Sequence, residues 1–230
     1  MKLVWDKTGE RIFETGVDHV ALYVQDDNGA YPTAVAWNGV TNFSEEPSGA
    51  EASPIYADNI KYLSLMSAEE FSATITAITY PEEFEQCDGL SEIATGVIVG
   101  QQNRRAFGLV YRTLIGNDVV GTSLGYKLHF VYGAKASPSS KAYNTVNADP
   151  EAMELSWSIS TVPVEVPGMK PTATLTIDSR KVSADKLAAL EDILFGKNSA
   201  DENEASLTGR LPLPAEIISL VATAPEPGQE

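Results

Sequence analysis

Hydrophobic and polar residues alternate with a period of two along much of the chain, as strands do when they bury one face. Residues 17–24 set Val20, Leu22 and Val24 on one side and His19, Ala21 and Tyr23 on the other. A turn at Asp26-Asp27-Asn28-Gly29 and a return over 33–37 predict a hairpin. Strands are also predicted at 60–66 and at 70–80, where Phe71, Ala73, Ile75 and Ala77 oppose a small hydroxylated face of Ser72, Thr74 and Thr76. Segments 93–99 and 107–115 are apolar on both sides and read as central strands, and Asn117-Asp118 opens the next turn. Further on, Tyr126, Leu128, Phe130 and Tyr132 alternate with Lys127, His129 and Val131. Leu155, Trp157 and Ile159 alternate with Ser156, Ser158 and Ser160, and Ala173, Leu175 and Ile177 with Thr172, Thr174 and Thr176.

The helical period appears once at length. Leu187, Leu190 and Leu194 fall at i, i+3 and i+7 with Ile193 beside them; Ser183 stands at the cap, Asp185 in the first turn and Gly196 at the end. Pro81-Glu82-Glu83 starts a shorter helix that Gly89 stops about two turns later. Between these elements, 41–59 reads as a long acidic loop, with Glu45, Glu46, Glu51 and Asp58 and no basic residue before Lys61. Pro47, Gly49 and Pro54 oppose both a helix and a ladder there. A loop this long in a compact domain is functional or mobile. Residues 133–150 form a second polar excursion. Residues 1–16, with apolar islands Leu3-Val4-Trp5 and Ile12-Phe13, read as an arm that packs onto something. Residues 197–209 read as a charged linker carrying the acidic insert 199–205, 211–221 as a docking C-terminal arm, and 222–230 as a disordered tail.

Composition narrows the chemistry. The 230 residues allow one large β domain or two small ones, and 43% hydrophobic content supplies a core. Sixteen basic against 32 acidic residues give a net charge of −16, poor for holding phosphates. The single cysteine, Cys87, has no internal disulfide partner, and Glu83, Glu85 and Asp88 around it oppose a reactive thiolate. No apolar run suits a membrane span and the N-terminus lacks a signal peptide's apolar core, so the chain reads as cytoplasmic and soluble. His19 and His129 sit inside strand alternation and read as hydrogen-bonded structural residues. With Gly29 at the glycine position, a calcium loop would need Val24 and Val35 as ligands, so it fails. Glu69-Glu70 and Glu82-Glu83 suit a solvated surface better than a glycosidase pair. Gly196-Lys197 has Glu191 where a phosphate loop needs its first glycine. Arg104-Arg105 is read as pairing with carboxylates, including those of a neighbouring copy. Trp5, Trp37 and Trp157 are read as core or interface packing. No cofactor, metal site or catalytic constellation is expected.

A series of short motifs then resembles the major tail proteins of long-tailed, non-contractile bacteriophages. They are Ser48-Gly49-Ala50-Glu51, Pro54-Ile55-Tyr56-Ala57-Asp58-Asn59, Thr79-Tyr80-Pro81-Glu82-Glu83-Phe84 and Cys87-Asp88-Gly89. Arg112-Thr113-Leu114-Ile115-Gly116-Asn117-Asp118, Tyr126-Lys127-Leu128-His129, Tyr132-Gly133-Ala134 and Ala136-Ser137-Pro138-Ser139 continue it, followed by Tyr143-Asn144-Thr145-Val146-Asn147, the helix at 186–196 and Leu211-Pro212-Leu213-Pro214. The resemblance covers nearly the whole chain, and each motif is short and non-catalytic.

The resemblance implies a mainly β tail-tube fold: a β-sandwich or partial barrel over 1–221 with one flanking helix, a long inter-strand loop and two terminal arms. It implies a virion protein, made in the bacterial host cytoplasm, whose copies form hexameric rings stacked into a tube. The implied partners are further copies of the chain, a tape-measure protein in the bore, and tail-terminator and distal tail or baseplate proteins at the ends; DNA passes without specific binding. Glu45, Glu46, Glu51, Tyr56, Asp58 and Asn59 are then expected at ring-to-ring contacts. Glu70, Ser72, Thr74 and Thr76 are expected to face the lumen, and Arg104 and Arg105 to pair between subunits. A rival reading is a soluble β-sandwich binding module for carbohydrate or a protein ligand, which in the carbohydrate case stacks sugars on Trp37, Trp157 and the tyrosines. A hydrolase with two converging carboxylates ranks last.

Overall fold

The computed structural model describes residues 3–145, 152–198 and 206–222. It is mainly β, as the alternation predicts, with strand pairings that are all antiparallel. One layer runs in the order β2 (Ala34–Ala36), β1 (Ile12–Val24), β11 (Phe107–Asn117) and β12 (Gly121–Ala136), with β14 (Thr174–Asp178) on the far side of β12. The other layer continues from the end of β12 through β13 (Leu155–Thr161) and β8 (Ser72–Ala77) to β3 (Val40–Glu45).

β12 belongs to both layers, and Gly133 is where they part. Lys127–Val131 pair with β14, whereas Ala134–Ala136 pair with β13. Gly133 has φ 59°, and a Cβ there would lie 2.2 Å from the Val162 carbonyl oxygen, so only glycine fits. Its N–H donates to the Tyr31 hydroxyl at 2.9 Å, which keeps the kink satisfied.

Two cores follow. Between the layers, Leu22, Leu109 and Val131 meet Ile75, Trp157 and Ile159, closed at one end by Trp37, Phe84 and Cys87. On the opposite face of the first layer, Tyr23, Val110, Leu128 and Phe130 lie under Leu187, Leu190 and Leu194 of α1 (Ala184–Phe195) and Ile217 of α2 (Pro214–Val221). Phe107–Tyr111 of β11 are therefore buried on both faces, which is why that stretch shows no polar side. The Tyr23 hydroxyl donates to the Leu194 carbonyl at 2.9 Å and ties α1 to the sheet. Gly196, with φ 83°, ends α1 as predicted.

Several expectations are revised. β1 starts at Ile12, inside the segment read as an arm, because Ile12–Thr15 pair with the far end of the long β11. The stretch 41–59 is no loop: β3, β4 (Ser48–Gly49) and β5 (Ala52–Ala57) pair with β8, β7 (Glu69–Glu70) and β6 (Ile60–Met66). Asp58 and Asn59, at φ 51° and 63°, make the left-handed two-residue turn that such a hairpin wants. Pro54 does not block the ladder, since only every second N–H of a two-stranded ribbon faces its partner. The segment 93–99 is not central: β9 (Ser91–Ala94) and β10 (Val97–Val99) form an exposed hairpin. The helix expected after Pro81 is a single 3-10 turn, Glu82–Phe84, that buries Phe84. The polar excursion at 133–150 begins as strand through Ala136, and the C-terminal arm contains α2, a second flanking helix. Residues 146–151, the acidic insert 199–205 and the tail from 223 onward lie outside the described residues.

Candidate functional site

Among the described residues the distinctive feature is a surface. Along β13 the exposed residues are Ser156, Ser158 and Ser160, between buried Leu155, Trp157 and Ile159. Ladder register sets them against β8 as Ser156–Thr76, Ser158–Thr74 and Ser160–Ser72. β3 extends the rows with Asn42 opposite Thr76 and Ser44 opposite Thr74. The outer face of this layer is thus a grid of hydroxyls and one amide on three neighbouring strands. None of these side chains is charged or aromatic. At its margin stand Lys135, opposite Ser160, and Glu46, whose N–H donates to the Ser72 carbonyl. Such a face offers an anionic polymer neither the lysines and arginines that hold phosphate nor rings that stack bases. Ser72, Thr74 and Thr76, expected on the lumen side, lie on this grid; Glu70 sits one step beyond, in β7, opposite Ser48.

From the same two strands, β3 and β8, the β4–β7 and β5–β6 ribbon projects as an arm. Every residue of β6 is exposed, including Ile60, Tyr62, Leu65 and Met66, and Tyr56 on β5 is 68% exposed. A lone two-stranded ribbon is marginal in water, and this much exposed apolar surface marks a contact region. Glu51, Tyr56, Asp58 and Asn59 all lie on the arm and Glu46 at its root. Glu45 does not: its carboxylate accepts the Tyr111 hydroxyl hydrogen at the edge of the inner core.

That bond belongs to a polar cluster on the inner face of the first layer. The His129 ring stacks on Tyr111 at 4.7 Å, and its Nε2 lies 2.9 Å from the Thr113 hydroxyl. Thr113 donates to Glu14 at 2.5 Å, and Lys127 pairs with the same carboxylate. Burial holds the His129 pKa below its ordinary value, although Glu14 and Glu45 pull the other way. Burial alone would raise Glu14, but the bonds from Lys127 and Thr113 outweigh it and leave its pKa low. His19 is half exposed beside Asp18, at 3.1 Å.

Arg104 and Arg105 part company. The Arg104 guanidinium donates to the buried Asp88 carboxylate at 3.1 Å and to the Ala136 carbonyl at 3.2 Å. Lys141 takes the other Asp88 oxygen at 2.8 Å and lies 5.2 Å from the centre of the Tyr80 ring. Arg105 reaches the exposed Asp27 at 3.1 Å and stays half open to solvent. Burial pushes the Cys87 thiol up to about 12, so it is inert at neutral pH.

Trp37 and Trp157 are 2% and 0% exposed, so they form no stacking platform for a sugar. Trp5 is 73% exposed. Among the described residues no group of three or more His, Cys, Asp or Glu could hold a metal ion, and no helix is long and apolar enough to cross a membrane. The sequence reading missed the β13 serines as partners of the β8 face, together with Asn42, Ser44, Asp88 and Lys141. Alternation exposed the serines but not which strand lay beside them.

No family model matches the chain, and no curated protein matches it. Among solved structures, a chain of an extracellular contractile injection system, the PVC sheath–tube complex in its extended state, is similar at 13% identity and a TM-score of 0.30. The match covers 70% of this chain and 88% of that one. An overlap this loose carries no functional argument.

Proposed function

We propose that the chain is a structural subunit of a phage-type tail tube, assembling with its own copies into stacked hexameric rings. The observation that carries this reading is the uncharged hydroxyl grid, placed on the face away from both helices, with the apolar arm leaving from the same sheet. The resemblance of its short motifs to those of major tail proteins supports it independently. In this reading the β12–β13–β8–β3 layer of each copy joins its neighbours' into one closed barrel, which removes edges that an isolated sheet must otherwise protect. Six such layers supply about 24 strands; at ~4.8 Å spacing and ~40° tilt they close at roughly 48 Å between backbones. Side chains narrow the bore to roughly 40 Å, room for a tape-measure protein and later for duplex DNA. Ser72, Thr74, Thr76 and the β13 serines line it, so DNA slides without a phosphate contact to hold it. Glu46, Glu51, Tyr56, Asp58 and Asn59 travel with the arm to the next ring, Arg105 is placed to pair between subunits, and terminator and distal tail proteins close the ends.

Negative-stain micrographs of concentrated protein test the reading. Rings or tubes about ten nanometres wide are expected from closure of β domains of this size. A chain that stays monomeric at every concentration and salt condition overturns it.

A further inference from the structure

The helix-bearing side holds an unfinished sheet edge. β14 pairs with β12 along one side and with no strand on the other among the described residues. Beside that edge runs a groove of about 440 Å³, lined by Leu175, Ile177, Val182, Ile217, Ile218 and Val221. An apolar groove along a free edge takes one extended strand: the ladder supplies affinity and alternate side chains fill the groove.

The chain carries a segment of that description. Leu3, Val4 and Trp5 are 71%, 63% and 73% exposed, without secondary structure, and outside the groove lining. The backbone N–H groups of residues 3–6 make no hydrogen bond among the described residues. Asp6, at φ 56°, ends the extended run. Three extended residues span roughly 10 Å, within the roughly 17 Å of five-residue β14. With a period of two, Leu3 and Trp5 share a face; set beside Leu175 and Ile177 they would enter the groove.

The geometry points to an intermolecular exchange in which Leu3-Val4-Trp5 of one copy adds as a strand to β14 of another, with Leu3 and Trp5 in the groove beside α2. This rests on the self-assembly reading but concerns a different surface from the hydroxyl grid and the ribbon arm. Cysteine crosslinking tests it in the full chain, since Cys87 is buried and inert. Trp5→Cys protein mixed with Ile218→Cys protein should give covalent dimers several-fold above a control mixture of Trp5→Cys with Val162→Cys, another exposed site. Crosslinks that close within one chain of the Trp5→Cys/Ile218→Cys double variant, without dimers, overturn the proposal. Crosslinks that appear only after residues 223–230 are removed also overturn it, because the chain's own tail then fills the groove. Tubes in micrographs without crosslinks refute this docking and leave the tube reading standing; crosslinked dimers without rings or tubes do the reverse.

Discussion

His129 shows how a residue on an inner sheet face can set a pH response. Facing it are Glu14 from β1, Glu45 from β3, Thr113 and Tyr111 from β11, Thr176 from β14, and Lys127 on its own strand. Burial keeps its folded pKa below the unfolded value of about 6.5, so the folded state binds fewer protons. Stability should therefore be full above pH ~6.5, fall as pH drops through that value, and level off below the folded pKa. His129→Gln should flatten the urea midpoint between pH 8 and 5; an unchanged slope would assign the response to other groups. The carboxylates act lower. Hydrogen bonds from Arg112, at 2.7 and 2.8 Å, hold the Asp18 pKa down, and Arg210 does the same for Glu216. Their contributions are present above the ordinary carboxylate range and lost only as pH falls through the depressed values, so the two windows separate.

At the scale of elements, the ribbon arm is the longer of two exposed pairs of strands, the β9–β10 hairpin being the other. Replacing residues 48–70 with a short turn between β3 and β8 removes no core residue and should leave the thermal midpoint within a few degrees of the parent. Ring stacking should nonetheless be lost in micrographs, and an arm-less chain that still forms long tubes would sink the arm's assigned role. The arm also shows where sequence reading stopped. Alternation located β8, β13 and β14, and the leucine spacing located α1, because each buries one face against a single core; β1 and β12 also alternate, although their two faces enter different cores. In the ribbon neither face is buried: 60–66 still reads as a strand and is β6, but its partner inside 41–59 reads as loop, because proline and glycine oppose a ladder and this ribbon tolerates them. The exposed β9–β10 hairpin misled the opposite way: two apolar faces read as centrality when they reflect exposure. For the hydroxyl grid, Ser72, Thr74 and Thr76 were legible, but their continuation across Ser156, Ser158 and Ser160 depended on non-local register, which no single segment encodes.

The whole molecule is two-sided, with helices over one layer and hydroxyls on the other. If the grid is the wall of a bore, its lack of charge is the property that matters. The Thr74→Lys/Ser158→Lys pair should still assemble, since both positions point off the core. Its tubes should bind duplex DNA with an affinity that falls steeply with salt, whereas parent tubes bind none. Equal DNA binding by the two in filter or sedimentation assays would remove the grid from the bore. Gly133 adds a mechanical corollary. Because one strand threads both layers without a break, a tug on the helix-bearing layer is carried along a continuous covalent keel into the hydroxyl-bearing layer, so each chain would pass load across itself through backbone instead of through side-chain contacts alone.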